Sequence, residues 1–143
     1  MRNREIIFKA KLHPRWQHLT SDGWAYGTPI YHQNGTVDIR LIIPENEDTI
    51  TMLGIHRFEI IEDSIAQYTG KRDSNGNRIY EGDIITDKED YTAVVLWDAN
   101  SCCFYAKTVG GNELFLSDVC DDGVRCEIIG NTFDNKNFIV EDD

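Results

Sequence analysis

The chain has no long hydrophobic run and only 3 prolines in 143 residues. Its apolar segments are much shorter than the roughly 20 residues that a membrane helix requires. Polar and charged residues interrupt the first eleven positions, so the apolar centre of a signal peptide is absent from them. We therefore expect a cytoplasmic protein that makes no contact with a membrane.

The familiar catalytic and ligand-binding motifs are also missing. Gly70-Lys71 is followed by Arg72 and has Ile65 where a phosphate-binding loop carries its first glycine. The segment that begins at Asp73 has glycine at its fourth position, whereas a calcium-binding EF-hand loop requires glycine at the sixth. We predict no catalytic residue, no cofactor and no metal ligand. A small hydrolase or metal-dependent enzyme, whose histidines and carboxylates converge only in space, stays an alternative.

The cysteines do not have zinc-site spacing. Zinc sites favour pairs separated by two to four residues, since both thiolates must reach one ion. The pattern therefore predicts free cysteines, most of them small buried side chains. The four are Cys102, Cys103, Cys120 and Cys126.

Acidic residues are the abundant feature, with 25 Asp and Glu against 14 Lys and Arg and a formal net charge of −11. Residues 1–63 hold 7 basic and 9 acidic side chains, and residues 64–143 hold 7 and 16. Because nucleic acids are bound by neutralising phosphates, direct nucleic-acid binding is not expected. The short basic start of the chain is interpreted as a solvated strand face. The charge leaves open an acidic decoy that imitates DNA and binds a host DNA-binding protein.

Hydrophobic residues mostly alternate with a period of two, which indicates strands. Tight-turn dipeptides separate these strands, as in antiparallel sheets. Helical evidence is confined to the short stretch Ser64–Tyr68. The predicted strands are Ile6–Lys11, Thr36–Ile42, Arg57–Ile61, Ile84–Thr86, Tyr91–Trp97, Phe104–Lys107 and Val124–Ile128, and the turns lie at Asn34-Gly35, Asn75-Gly76, Gly110-Gly111 and Asp122-Gly123.

The predicted fold is mainly β, with a division near Glu62–Ile65, where the charge balance changes. Residues 1–62 would form a small N-terminal β lobe and residues 63–143 a compact barrel of about five strands. Four aromatic residues within the lobe, Trp16, Trp24, Tyr26 and Tyr31, are interpreted as part of its core, and an exposed binding patch is the alternative.

The segment 67–85 is interpreted as a structural segment of turns and strands. Asn75-Gly76 forms a tight turn that Asp73 caps, and Ile79-Tyr80 returns to the core. Gly82 permits a sharp bend before the next strand, and the neighbouring Asp83 is expected to bind backbone amides.

The same segment resembles the signature of the YopX family. The matching residues are Gln67-Tyr68-Thr69-Gly70, Lys71, Asp73, Asn75-Gly76 and Ile79-Tyr80-Glu81-Gly82-Asp83-Ile84-Ile85, with similarity also in Arg4–Ala10 and Glu127–Asn131. The resemblance implies a small phage or prophage protein without an established activity. It implies that the C-terminal part, 63–143, is an SH3-like barrel that carries this motif. It supplies no catalytic residues.

The residues and the resemblance together predict a non-enzymatic accessory protein in the host cytoplasm. Its expected action is contact with other proteins, both with copies of itself as a homo-oligomer and with a host or phage protein. The candidate contact residues are Tyr68, Tyr80 and Trp97.

Overall fold

A computed structural model describes residues 6–43, 57–119 and 125–138. The described part of the chain divides into two compact units, one that ends at residue 67 and one that begins at residue 68. The division falls within a strand, slightly later than the predicted boundary between residues 62 and 63. That boundary, as a division between independent domains, stays a prediction. The predicted turn at Asp122-Gly123 lies outside the described residues.

About half of the described chain forms antiparallel strands, as the sequence predicts. Their bounds are β1 Phe8–Lys11, β2 Trp24–Tyr31, β3 Val37–Ile43, β4 Arg57–Glu59, β5 Ala66–Arg72, β6 Arg78–Tyr80, β7 Asp83–Thr86, β8 Thr92–Asp98, β9 Cys103–Thr108, β10 Glu113–Phe115 and β11 Glu127–Asn131.

The helical segments are short. Two are 3₁₀ turns at Pro14–Leu19 and Glu62–Ser64, and a single α-helical turn spans Leu116–Val119. None of the helices in the described part of the chain has the length and apolar character that crossing a membrane requires.

In the first unit the strands lie in the order β4-β3-β2-β1, and the first residues of β5 pair with β1. Alternation in β3 explains its orientation, because Val37 and Ile39 are buried whereas Arg40 is exposed. The turn before β3 forms at Asn34-Gly35, where Gly35 has φ +91° and His32 donates its N–H to the carbonyl of Thr36. The core comprises Ala10, Leu12, Leu19, Ala25, Val37, Ile39, Phe58 and Ile60.

Two of the basic residues near the start of the chain are covered by an aromatic ring. The ammonium groups of Lys9 and Lys11 lie 4.6 Å and 5.4 Å from the ring centre of Trp24. Lys9 is 7% exposed and Trp24 4%. A cation over an aromatic face is stabilised by the quadrupole of the ring. The prediction of a solvated strand face is therefore wrong for Lys9.

The second unit contains a five-stranded sheet in the order β10-β9-β8-β7-β11. Val94 and Val95 of β8 point to opposite faces and are 2% and 0% exposed, so this strand is buried on both sides, as its continuous apolar sequence predicts. The core comprises Ile79, Ile85, Ala93, Val95, Ala106, Leu116, Val119 and Cys126.

The mainly β fold is confirmed, but closure of the second sheet is not. In the described residues, β10 and β11 form the two edges of the five-stranded sheet and do not pair with each other. A barrel requires that its first and last strands join. The SH3-like barrel therefore stays a prediction.

The predicted helical turn at Ser64–Tyr68 is wrong. A 3₁₀ turn ends at Ser64, and Ala66 begins β5, in which Gln67 pairs with Phe8 of β1. The alternating burial of Ala66 and Tyr68 suits a strand, and the pairing with a distant segment decides the conformation.

Gly82 occupies a tight turn between β6 and β7. Its φ is +85°, and a Cβ at this position would lie 3.2 Å from the Thr132 side-chain oxygen. The Gly82 N–H donates to the carbonyl of Val95 at 2.7 Å, and its own carbonyl accepts from the N–H of Thr132 at 2.9 Å. This turn therefore binds β8 and the segment after β11, and its backbone conformation favours glycine.

We predict that Gly82→Ala lowers the free energy of unfolding by about 1–3 kcal/mol, because a side chain strains this conformation and crowds Thr132. Chemical denaturation measures the change. Gly110→Ala is the matched control, since no atom lies within 4 Å of its Cβ position; it should change stability by less than about 0.5 kcal/mol. Equal stability of the two variants would contradict the prediction.

Candidate functional site

The Asn75-Gly76 turn is held to a distant strand by Asp73. One carboxylate oxygen of Asp73 accepts the N–H groups of Asn75 at 3.0 Å and Asn77 at 2.8 Å, and the other accepts the N–H of Ile128 at 3.3 Å. Next to it, the hydroxyl of Ser74 accepts the N–H of Cys126 at 2.8 Å. Asp73 is only 7% exposed. The predicted cap is confirmed, and it also fixes the start of β11.

The second carboxylate of the motif has a similar role. Asp83 is 2% exposed and accepts the N–H of Tyr80 at 2.7 Å. Ile79 and Tyr80 are buried, as predicted. Both carboxylates bind backbone amides within the fold, so the most distinctive segment of the sequence is explained by structure rather than by chemistry on a substrate.

We predict that Asp73→Ala lowers the free energy of unfolding by about 1–3 kcal/mol, since the amides of Asn75, Asn77 and Ile128 lose their acceptor. Thermal and denaturant unfolding measure the effect. Asp90→Ala removes an exposed carboxylate from another turn of the same unit and serves as the control. If both variants unfold like the parent protein, the docking of the turn does not contribute to stability.

The three candidate contact residues lie in different environments. Tyr68 and Tyr80 are 7% and 4% exposed, and their ring centres are 5.8 Å apart across the β5–β6 pair. Trp97 is 45% exposed. The two tyrosines therefore offer little surface to a partner, and Trp97 is the residue of the three that a partner can cover.

Trp97 packs against Phe104 near the β8–β9 turn. The two residues are directly paired across the strands, and their ring centres lie 4.9 Å apart at an interplanar angle of 64°. This edge-to-face arrangement is favourable for aromatic rings. Phe104 is half-buried and contacts the core, so it holds Trp97 in one orientation while much of the indole faces solvent.

The opposite face of the same strands carries a second apolar surface. Leu96 pairs with Tyr105, and Tyr105 pairs with Phe115 of β10. Directly paired residues share a face, so the three side chains form a row across three strands, which we call the outer row. Phe115 is 70% exposed and the other two are half-buried.

Sequence reasoning missed the outer row. Two features of the sequence could have indicated it. The Gly110-Gly111 turn places β10 beside β9, and the exposed Glu113 alternates with the less exposed Leu114. β10 has only three residues, which is too few for alternation to identify it as a strand.

Two of the free cysteines lie at the β8–β9 turn. Cys102 is exposed with φ +54°, and Cys103 is half-buried. The Cys103 sulfur lies 3.2 Å from the Ser101 hydroxyl, which in turn donates to Asp98 at 2.7 Å. Cys126 is buried in the core, and Cys120 lies outside the described residues. The prediction of mostly buried thiols is thus wrong for Cys102.

An open groove of about 440 Å³ lies at the other end of the sheet, between the β7–β8 and β9–β10 turns. Its hydroxyls are used internally, because Thr86 donates to the carbonyl of Tyr91 and Thr108 accepts the N–H of Asn112. Asp87 accepts the N–H groups of Glu89, Asp90 and Tyr91 at 2.7–3.0 Å. Loss of water around Asp87 opposes its ionisation, but these amides outweigh that effect and lower the pKa of the carboxyl.

We predict that the amide signals of Glu89, Asp90 and Tyr91 titrate together at a midpoint below 3.8, the ordinary pKa of an Asp carboxyl. Because the folded pKa is the lower one, the stability that Asp87 contributes is present above the unfolded pKa and is lost as the pH falls through the folded pKa. NMR titration measures the midpoint, and Asp87→Asn should remove the shared transition. A midpoint at or above 3.8 contradicts the prediction.

Histidine and carboxylate meet at the β2–β3 turn, where the Nε2 atom of His32 lies 2.7 Å from an oxygen of Asp38. In the described ranges no three His, Cys, Asp or Glu side chains converge so as to hold a metal ion. His56 lies outside those ranges.

The chain matches a known protein family. A family model described as YopX protein matches residues 28–139, which is most of the chain and includes the whole segment 67–85. No curated protein matches the chain significantly.

Proposed function

The chain belongs to the YopX family, and from this membership we propose that it is a non-enzymatic accessory protein of a phage or prophage that acts through contacts with other proteins. The observation that carries the proposal is Trp97, an indole that is 45% exposed yet held in place by Phe104. Tryptophan is enriched among the residues that dominate binding energy at protein interfaces.

The surroundings of Trp97 support a contact surface. Phe104 fixes the ring before binding, so little conformational freedom would be lost when a partner covers it. Phe115, which is 70% exposed, lies on the other face of the same strands and belongs to a separate apolar surface. The partner of Trp97 is a second copy of the chain, which makes a homo-oligomer, or a host or phage protein in the cytoplasm.

The proposal includes an SH3-like arrangement of the second unit. Its support is five antiparallel strands, of which β7, β8, β9 and β10 follow one another as hairpins. Such folds present binding residues on or beside the turns at the ends of a rigid sheet. Trp97 is the last residue but one of β8, but fold alone does not specify a partner.

An acidic decoy for a DNA-binding protein is the second candidate, and the net charge of −11 favours it. A decoy would compete with DNA for its partner, and added salt would weaken the complex. A contact centred on Trp97 would depend on the indole and persist in the presence of DNA.

We predict that Trp97→Ser weakens the contacts of the protein at least about tenfold, as expected when an interface loses a central tryptophan. Sedimentation velocity over a concentration series measures self-association. Affinity capture from nuclease-treated host lysate, with proteins identified by mass spectrometry, measures partner retention.

Tyr31→Ser is the matched control, because Tyr31 is a 64% exposed aromatic residue of the first unit, so its predicted place in the core of the lobe is wrong. It should leave association and capture unchanged, and both variants should unfold as cooperatively as the parent. A monomeric protein that retains the same partners with and without Trp97 would refute the proposal. Release of the partner by competing DNA would favour the decoy.

A further inference from the structure

The outer row of Leu96, Tyr105 and Phe115 is an apolar surface with a defined charge at its borders. On one side the next pair on the same face is Asp98 and Cys103, and on the other side it is Lys107 and Glu113. Asp98 and Glu113 are the acidic residues of β8, β9 and β10, and Lys107 is the basic one.

The exposed charge beside the row is negative. Glu113 is exposed and Asp98 is half-exposed, whereas Lys107 is only 9% exposed. The hydroxyl of Ser101 and the N–H of Asn100 hydrogen-bond Asp98 and lower the pKa of its carboxyl, although loss of water opposes this. The row is therefore an apolar strip between two carboxylates, and its most exposed member is Phe115.

We propose that the outer row binds a segment of a partner protein that presents an apolar side chain flanked by lysine or arginine. The inference goes beyond the proposed contact at Trp97, because the outer row lies on the opposite face of the same strands, and it names the chemistry of the partner. Phe115 supplies the apolar contact, and Asp98 and Glu113 pair with the flanking cations. A contact of this kind combines hydrophobic burial with charge complementarity, which sets the choice of partner.

The negative charge of the chain favours a basic segment of another protein, rather than a second copy of the chain, as the partner of the outer row. The chain carries a net charge of −11, and residues 64–143, which contain the row, hold 16 acidic and 7 basic side chains. A second copy seated on the row in a symmetric dimer would bring the Asp98 and Glu113 carboxylates of the two copies close together, and close like charges oppose association. The row itself therefore favours a basic segment from another protein.

Three short synthetic peptides test the proposal with the full chain. The first alternates lysine with leucine, the second lysine with serine, and the third glutamate with leucine. Fluorescence anisotropy of labelled peptides at about 0.15 M salt measures affinity where exposed charges are already partly screened. We expect the lysine–leucine peptide to bind at least about tenfold more tightly than either of the others, since it alone offers both interactions.

Two variants locate the binding. Phe115→Ser removes the exposed ring, and Glu113→Lys reverses one border charge; each should weaken binding of the lysine–leucine peptide about fivefold to tenfold. The matched controls are Tyr31→Ser, which removes an exposed ring elsewhere, and Glu89→Lys, which reverses an exposed charge in the β7–β8 turn. Both controls should bind within about twofold of the parent protein, as surface positions distant from a contact usually do.

Several outcomes would overturn the proposal. They are absence of binding by the lysine–leucine peptide, equal binding by the lysine–serine or glutamate–leucine peptide, and equal losses in Phe115→Ser and Tyr31→Ser. Each leaves the proposed function standing if Trp97→Ser still weakens association or capture. Conversely, the peptide can bind the outer row while Trp97→Ser leaves association and capture unchanged. That result would refute the proposed contact at Trp97 and would support the proposed binding at the outer row.

Discussion

The carboxylate of Asp73 is the contact on which the second unit depends most. It is nine-tenths buried, it orders the Asn75-Gly76 turn through two amides, and it accepts a third amide from Ile128, more than fifty positions along the chain. Ser74 adds two bonds to Cys126 beside it. A local turn thus sets the position of the last strand of the sheet. The Gly82 turn has a similar role, because the backbone N–H and C=O of this one residue hydrogen-bond Val95 and Thr132. Hydrogen bonds of this kind, rather than apolar burial alone, specify which strands become neighbours.

This arrangement gives a structural role to the most recognisable part of the sequence, the segment 67–85. In the segment 67–85, the side chains of Thr69, Asp73 and Asp83 form hydrogen bonds to the backbone that hold its turns and strands together. Outside this segment, exposed aromatic side chains lie on β8 and β10, at Trp97 and Phe115. Because these surface residues lie outside the structural motif, substitutions among them can change the binding partner without loss of the fold. Proteins of one fold commonly differ in function in this way. Family membership therefore identifies the fold of the chain, whereas the exposed aromatic residues indicate where a partner would bind.

The strands with clear alternation or a continuous apolar run could be predicted from sequence, and so could the glycine turns and the roles of Asp73 and Asp83. β5 could not, because Ala66 and Gln67 become a strand by pairing with Phe8 and Lys9, and no local pattern reports that partner. The same limit applies to the candidate site. Trp97 was identifiable as an aromatic residue at a strand end, but the burial of Tyr68 and Tyr80 follows from their mutual packing across β5 and β6. Phe115 was missed because a three-residue strand is defined by its neighbour, β9.

The packing of Lys9 and Lys11 against Trp24 affects how readily these amines react with reagents in solution. An amine that lies over an indole and is 7% exposed, as in Lys9, is poorly accessible to acylating reagents and to proteases that cleave after lysine. Lys88 and Lys136, in contrast, are exposed. Labelling of amines in the native protein should therefore begin at these exposed lysines. Modification of Lys9 would report the opening of the β1–β2 pair, so this residue is a built-in chemical reporter of the first unit's integrity.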